Sequence, residues 1–262
     1  MTRTVRIAHL YPRDLNVYGD LGNVITLAKR LEWRGFRAEI LPVEPGQVFD
    51  FSSVDLVFGG GGQNSAQTVN AEDLLARGDE LRKISADGVP MLLICGSYQL
   101  FGREFFDADG RHFPGLGIFR SRTTAGPQRM IGNIVVDSPF GQLVGFENHS
   151  GRTVLDEGQQ PLGTVRQGFG NNGGTGDEGA VVGNTIGTYL HGPALPKNPV
   201  LADHLLLCAL GRKYGIDELE PLDDELAVRA ATVATERPQG RQTSLRPRRR
   251  RLHRLTAALR RG

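Results

Sequence analysis

What this 262-residue chain has little of narrows its biology before any motif is read. It holds two cysteines, Cys95 and Cys208, so no disulfide framework is expected and a reducing cytoplasm fits best. No stretch approaches the roughly 18 consecutive apolar residues that a membrane span needs. The first residues run directly into a strand-like pattern without a signal-peptide core. A G-x-x-x-x-G-K-[ST] phosphate loop is missing, and so is any internal repeat. Acidic side chains are absent from residues 237–262, which carry ten arginines. The formal net charge of +2 therefore conceals a body, residues 1–236, with 21 basic against 29 acidic side chains. Basicity belongs to the tail, whose plain reading is a disordered extension. Its sharper reading is weak attraction to an anionic inner membrane face, at about 1 kcal/mol per basic residue near such a surface. Nucleic-acid binding would rest on those arginines alone.

What is present is an alternation of strands and helices. Val5–Tyr11 reads as a first strand, followed by a loop over Asp14–Asp20. Asn23 is placed to cap a helix through Arg34, with Gly35 as its stop. Arg37–Leu41 and Val54–Phe58 read as further strands, and residues 70–86 as a helix. From about residue 113 short β-prone runs appear at 131–136, 143–147, 162–166, 179–182 and 185–190. A glycine-rich stretch, Gly168 to Gly179, reads as a flexible loop. Helices are expected over about 199–210, ending near Gly211, and from Asp223 to about Thr235. The β-α-β order implies a mostly parallel sheet flanked by helices, with ligands at the carboxyl ends of its strands.

The chemistry gathers at Val89-Pro90-Met91-Leu92-Leu93-Ile94-Cys95-Gly96-Ser97-Tyr98-Gln99, a short buried strand that turns into a helix at Cys95. Such a corner lifts its residue to the sheet edge, where the free N–H groups of the helix's first turn favour a thiolate. The bland alternative is a core cysteine. A nucleophilic cysteine needs a base, and His191, in the loop after the strand Thr185–Leu190, is the best placed of six histidines. His149 is a weaker candidate, packing under the site or contacting a substrate. His9, His112, His204 and His253 read as structural or surface residues. The run Gly59-Gly60-Gly61-Gly62-Gln63 also follows a strand, and it can supply a backbone N–H to an oxyanion, with Gly96 as the second donor.

Ile94-Cys95-Gly96-Ser97-Tyr98-Gln99, Gly60-Gly61-Gly62-Gln63 and Tyr189-Leu190-His191-Gly192-Pro193 together resemble the triad-type glutamine amidotransferases, in the cobyric-acid-synthase-like branch. Leu10-Tyr11-Pro12-Arg13-Asp14-Leu15-Asn16-Val17-Tyr18-Gly19-Asp20-Leu21-Gly22-Asn23, with Gly145-Phe146-Glu147-Asn148-His149 and Gly170-Asn171-Asn172-Gly173, is similar to the glutaminase subunits of lipid II isoglutaminyl synthase. The resemblance covers roughly residues 4–235. It implies a single α/β amidotransferase domain over 1–236, with 237–262 as an appended tail. It also implies hydrolysis of L-glutamine, with Cys95 and His191 catalytic, Gly61 and Gly96 at the oxyanion, and Arg129 on the substrate α-carboxylate. No cofactor is implied in this chain; ATP and Mg belong to a MurT-like Mur ligase partner in a heterodimer. That partner uses the ammonia to amidate D-glutamate in the lipid II stem peptide.

Two departures stand out. Pro193 occupies the position where such enzymes usually carry the orienting glutamate, and the resemblance implies that an aspartate of the ligase partner completes the triad. Ser97 replaces a usual glycine; its Cβ narrows the turn, and activity is expected to survive. Two other readings stay open. One is amidation of a cobyrinate-type acid; the other is a scaffold subunit with a degenerate amidotransferase fold, against which Cys95 and His191 both stand.

Overall fold

The computed structural model describes residues 3–62 and 64–236, together with the backbone of Thr243–Ser244. In chain order the elements are β1 (Thr4–Leu10), α1 (Leu21–Glu32), β2 (Arg37–Val43), β3 (Leu56–Gly59), α2 (Asn64–Ala76), α3 (Gly78–Ala86), β4 (Met91–Ile94) and α4 (Gly96–Phe101). Then come β5 (Glu104–Phe106), β6 (His112–Pro114), β7 (Ser121–Ser138), β8 (Gly141–Leu155), β9 (Gly163–Gln167), β10 (Asp177–Glu178), β11 (Ala180–Val182) and β12 (Thr185–Thr188). Helices α5 (Pro199–Tyr214) and α6 (Glu225–Thr235) and the two-residue β13 (Thr243–Ser244) follow.

One sheet has the order β11-β12-β4-β3-β1-β2, parallel throughout except for β11 at its edge. Every residue of β3, β4 and β12 is buried, as strands covered on both faces must be. Their apolar runs are what made them legible. All of β1, β3, β4 and β12 point their carboxyl ends to the same edge, which gathers the loops carrying Asp20, Gly61, Cys95 and His191.

The expected parallel sheet is one of two. Among the described residues a second sheet, β10-β9-β7-β5-β6 with β8 also on β7, is mainly antiparallel. Its spine is the long β7–β8 hairpin, where only the short runs 131–136 and 143–147 were expected. Half of each strand faces solvent with polar residues, and a register shift between Ala125 and Met130 absorbs Gly126 and Pro127. Apolar continuity therefore underestimates its length.

Four local expectations are corrected. Helix α1 starts at Leu21, whose N–H donates to Asn16 Oδ1; Asn23 is buried inside it and accepts from Leu195 N–H instead of capping. The helix expected over 70–86 is two, broken at Arg77, whose guanidinium is held by Asp73 and the Glu44 and Gln47 carbonyls. Helix α5 runs past Gly211 to Tyr214 and closes on left-handed Gly215. The Gly168–Gly179 stretch is pinned: the Glu147 carboxylate accepts the Phe169 and Gly170 N–H groups, and the Asn171 side chain bonds Gly179 through both its N–H and its C=O. The expectation of a disordered tail over 237–262 lies outside the described residues, apart from the Thr243–Ser244 backbone, which pairs with Gln128–Arg129.

Helix α1 is fastened to the far end of the chain. Arg30, buried on α1, forks onto Asp203 of α5 and Asp224 beside α6, and Arg34 adds a second hold on Asp203. This anchor fixes the helix whose first turn faces the catalytic edge.

Candidate active site

Cys95 stands at the corner between β4 and α4 with φ 49° and ψ −99°. Backbone strain of this kind costs about 1–3 kcal/mol and persists where neighbours impose it. Here they do: Cys95 N–H donates to the Thr188 carbonyl at 2.8 Å, and the Cys95 carbonyl accepts from Gln99 N–H at 3.0 Å. The cysteine keeps 8% of its surface exposed, while Ile94 before it and Tyr98 after it are sealed. A core cysteine would need no such corner.

His191 arrives from the neighbouring strand, in which Thr188 lies level with Ile94. Its backbone forms a two-way bridge with Phe146 of β8, at 2.8 and 3.1 Å, so the two sheets meet at the histidine. Gly61 lies between the two side chains. A methyl group there would sit 2.6 Å from His191 Cε1 and 3.3 Å from Cys95 Cβ, so glycine is what lets thiol and imidazole meet. Burial works against an imidazolium, but the Asp20 hydrogen bond and then Cys95 outweigh it and raise the His191 pKa to about 10. The Tyr18 ring covers the imidazole edge-on at 5.0 Å.

Asp20 is the functional residue that sequence reasoning missed. Its Oδ1 lies 3.2 Å from His191 Nδ1, with both groups buried. The acid that the resemblance assigns to a partner chain thus has a counterpart in this one. Pro193, which displaces the usual glutamate, packs on α1: a Cβ on Gly22 would fall 2.5 Å from Pro193 Cγ. Asn23 Oδ1 accepts Leu195 N–H at 2.9 Å. Asp20, Gly22 and Asn23 therefore each meet one residue of the His191–Leu195 loop. The available signal was an acid inside a quoted motif just after the first strand, hence on the edge that carries Cys95.

The glycine loop differs from its expectation. Gly61 N–H, an expected oxyanion donor, donates to Asp20 Oδ2 at 2.7 Å. Gly96, the other expected donor, opens α4 directly after the nucleophile. Ser97, expected merely to narrow the turn, donates its hydroxyl to the Gly60 carbonyl at 2.7 Å and so ties α4 to this loop.

Arg129 is half-buried on β7 in the second sheet. Its Nε and Nη2 donate to the side-chain and main-chain oxygens of Asn148 at 2.8 and 2.6 Å. The structure thus brings Cys95, His191, Gly61 and Gly96 together at one edge and holds Arg129 on the adjoining wall. Below that wall His149 stacks on Tyr189, with ring centroids 3.6 Å apart, and gives its Nδ1 to the Gly151 carbonyl. Burial lowers its pKa to about 3, so it packs as a neutral ring. Two buried acids complete the support. Glu178 accepts from the Thr188 hydroxyl and Tyr189 N–H, with its pKa pushed by burial to about 7; Glu147 is pushed to about 8. Among the described residues no group of three or more His, Cys, Asp or Glu is arranged to hold a metal ion. None of the described helices is long and apolar enough to cross a membrane.

A cysteine raised on a strained corner, polarised by a carboxylate-held histidine beside a glycine loop, is an arrangement for acyl transfer. Residues 6–199 match the CobB/CobQ-like glutamine amidotransferase domain. The subunit GatD of the glutamine-hydrolyzing lipid II isoglutaminyl synthase of Staphylococcus aureus is 38% identical over 91% of this chain and 98% of that protein. Its namesake from Streptococcus pneumoniae is 39% identical, over 85% and 86%. The cobyric acid synthase of Pelotomaculum thermopropionicum is 37% identical over 48% of this chain and 27% of its own. In fold, a glutamine amidotransferase of Thermotoga maritima gives a TM-score of 0.51 at 15% identity, covering 88% of this chain and 93% of that one. The chain therefore belongs to the CobB/CobQ-like glutamine amidotransferase family.

Proposed function

We propose that this chain is the glutamine-hydrolysing subunit of a lipid II isoglutaminyl synthase. The observation that carries the chemistry is the Cys95–His191 pair meeting across Gly61, with Asp20 behind the imidazole. The acceptor is supported by likeness along nearly the whole length of the two GatD proteins, against 27% of a cobyric acid synthase.

In this reading Arg129 receives the free α-carboxylate of L-glutamine, for which a planar guanidinium is suited. Cys95 Sγ attacks the side-chain carboxamide carbon while His191 Nε2 takes the thiol proton. The tetrahedral oxyanion forms beside Gly96 N–H. His191 returns its proton to the departing nitrogen, and ammonia leaves a γ-glutamyl thioester on Cys95. Water, deprotonated by His191, attacks the thioester and releases glutamate and the free thiol. Ammonia passes to a MurT-like Mur ligase partner, which holds ATP and Mg and amidates the α-carboxylate of D-glutamate in lipid II.

The test is ammonia and glutamate release by wild type and Cys95→Ala, with and without the ligase subunit, and D-isoglutamine formation when lipid II and ATP are added. Weak release by the isolated chain, raised by the partner and abolished by the substitution, is expected. Equal rates with and without the partner contradict the dependence on it; release that survives Cys95→Ala contradicts the mechanism.

A further inference from the structure

The Gly60–Gly61 peptide is gripped at both ends: Ser97 Oγ donates to its carbonyl at 2.7 Å, and Asp20 Oδ2 accepts its N–H at 2.7 Å. The other oxygen of the same carboxylate faces His191 Nδ1 at 3.2 Å. Two N–H donors thus converge on one buried side chain, and an acceptor-only carboxylate is the group that satisfies both. We propose that Asp20 is the positioning residue of this active site, holding the catalytic histidine in its Nδ1–H form through one oxygen and the glycine loop through the other. The inference rests on the glutaminase reading and replaces a partner-supplied orienting acid with one from this chain.

The consequences follow from hydrogen-bond chemistry. With Nδ1 protonated and bound to Asp20, His191 turns Nε2 towards the thiol as the proton acceptor. That nitrogen is buried and has no hydrogen-bond partner in the resting site. His9, the other imidazole within Asp20's electrostatic reach, is kept neutral by burial, its pKa lowered to about 4, so His191 is the positive partner. Asparagine cannot replace this aspartate. It offers one acceptor and one donor to two donors, so either the imidazole flips to the wrong tautomer or the Gly61 N–H loses its acceptor. The segment has room for this role because Pro193 packs on Gly22, drawing the Asp20 turn against the histidine loop.

The experiment compares full-length wild type, Asp20→Asn and Ser97→Ala, alone and with the ligase subunit. Two readouts are used: glutamine hydrolysis, and the pH dependence of Cys95 alkylation by iodoacetamide. Asp20→Asn should lower kcat at least about 100-fold with KM within about 3-fold, and the partner should not restore it. At neutral pH its Cys95 alkylation should slow at least about 10-fold, because the imidazolium that favours the thiolate loses its counter-charge. Ser97→Ala grips the same peptide without touching the histidine, so it should lower kcat several-fold and leave the alkylation profile unchanged. Alkylation needs no glutamine. If wild type alkylates as described yet releases no ammonia, the glutaminase reading fails while the role of Asp20 stands. An Asp20→Asn protein with an unchanged alkylation profile, or with kcat restored by the ligase subunit, overturns the proposal. Should that variant fail to fold, the imidazole ¹⁵N spectrum of wild type decides. A hydrogen-bonded proton on His191 Nδ1 supports it, and a neutral His191 protonated at Nε2 overturns it.

Discussion

The two sheets solve different problems with different chemistry. The parallel sheet is apolar inside and places its functional groups on loops at one edge, where a strained Cys95, a glycine loop and the His191 turn are held largely by backbone hydrogen bonds. The antiparallel sheet carries polar groups in its interior: Glu147, His149, Thr153 and Thr123 lie buried on or beside the β7–β8 hairpin and are bonded to neighbours. The first sheet makes the reacting groups. The second makes a wall, bearing Arg129, that is stitched to the first through the Phe146–His191 bridge. Substitutions at the edge should therefore change rate with little change in stability, and those in the wall should change binding or stability.

The sharpest contrast is at the edge. Cys95→Ala and His191→Ala should each reduce ammonia release by about 10⁴-fold or more, with the folded state retained by circular dichroism. Gly61→Ala forces a methyl group 2.6 Å from the imidazole, and a loss of about 100-fold or more is expected without a matching fall in Tm. In the wall, Arg129→Ala should raise KM for glutamine roughly 30- to 1,000-fold, since a charge-assisted contact is removed, and change kcat far less. A loss confined to kcat would break the division between edge and wall. The smallest effect concerns pH. Burial pushes the Glu178 pKa to about 7, above its ordinary 4.5, so the folded chain holds a proton that the unfolded chain has released. Stability should therefore fall as pH rises from about 4.5 to about 7. Glu178→Gln keeps an acceptor for Tyr189 N–H and removes the buried charge, so thermal unfolding should show a shallower decline across that window.

How much of this was legible depended on the kind of interaction involved. Strands β3, β4 and β12 could be read because full burial on both faces demands an apolar run, and Cys95 stood out because it ends one of them. His191 followed from the same logic at the next strand end. The hairpin's length was hidden because its alternate residues face solvent, and a register shift interrupts its period. The order of the Gly168–Gly179 stretch was hidden because a distant side chain, Glu147, supplies it. Asp20 was quoted in a motif and still overlooked, since its role depends on a contact 171 residues away with His191. Ser97 was read by size alone, although its hydroxyl is what the structure uses.

The most direct measurement of the central claim compares the two cysteines with an electrophilic glutamine analogue, 6-diazo-5-oxo-L-norleucine, read by peptide mass spectrometry. Cys95 ends a strand beside an imidazole, whereas Cys208 lies on α5 with a thiol pKa raised by burial. One adduct on Cys95 is predicted, slowed by excess glutamine and absent in His191→Ala, with Cys208 untouched. Equal labelling of both cysteines, or labelling indifferent to glutamine, would contradict a glutaminase site at the edge of the parallel sheet.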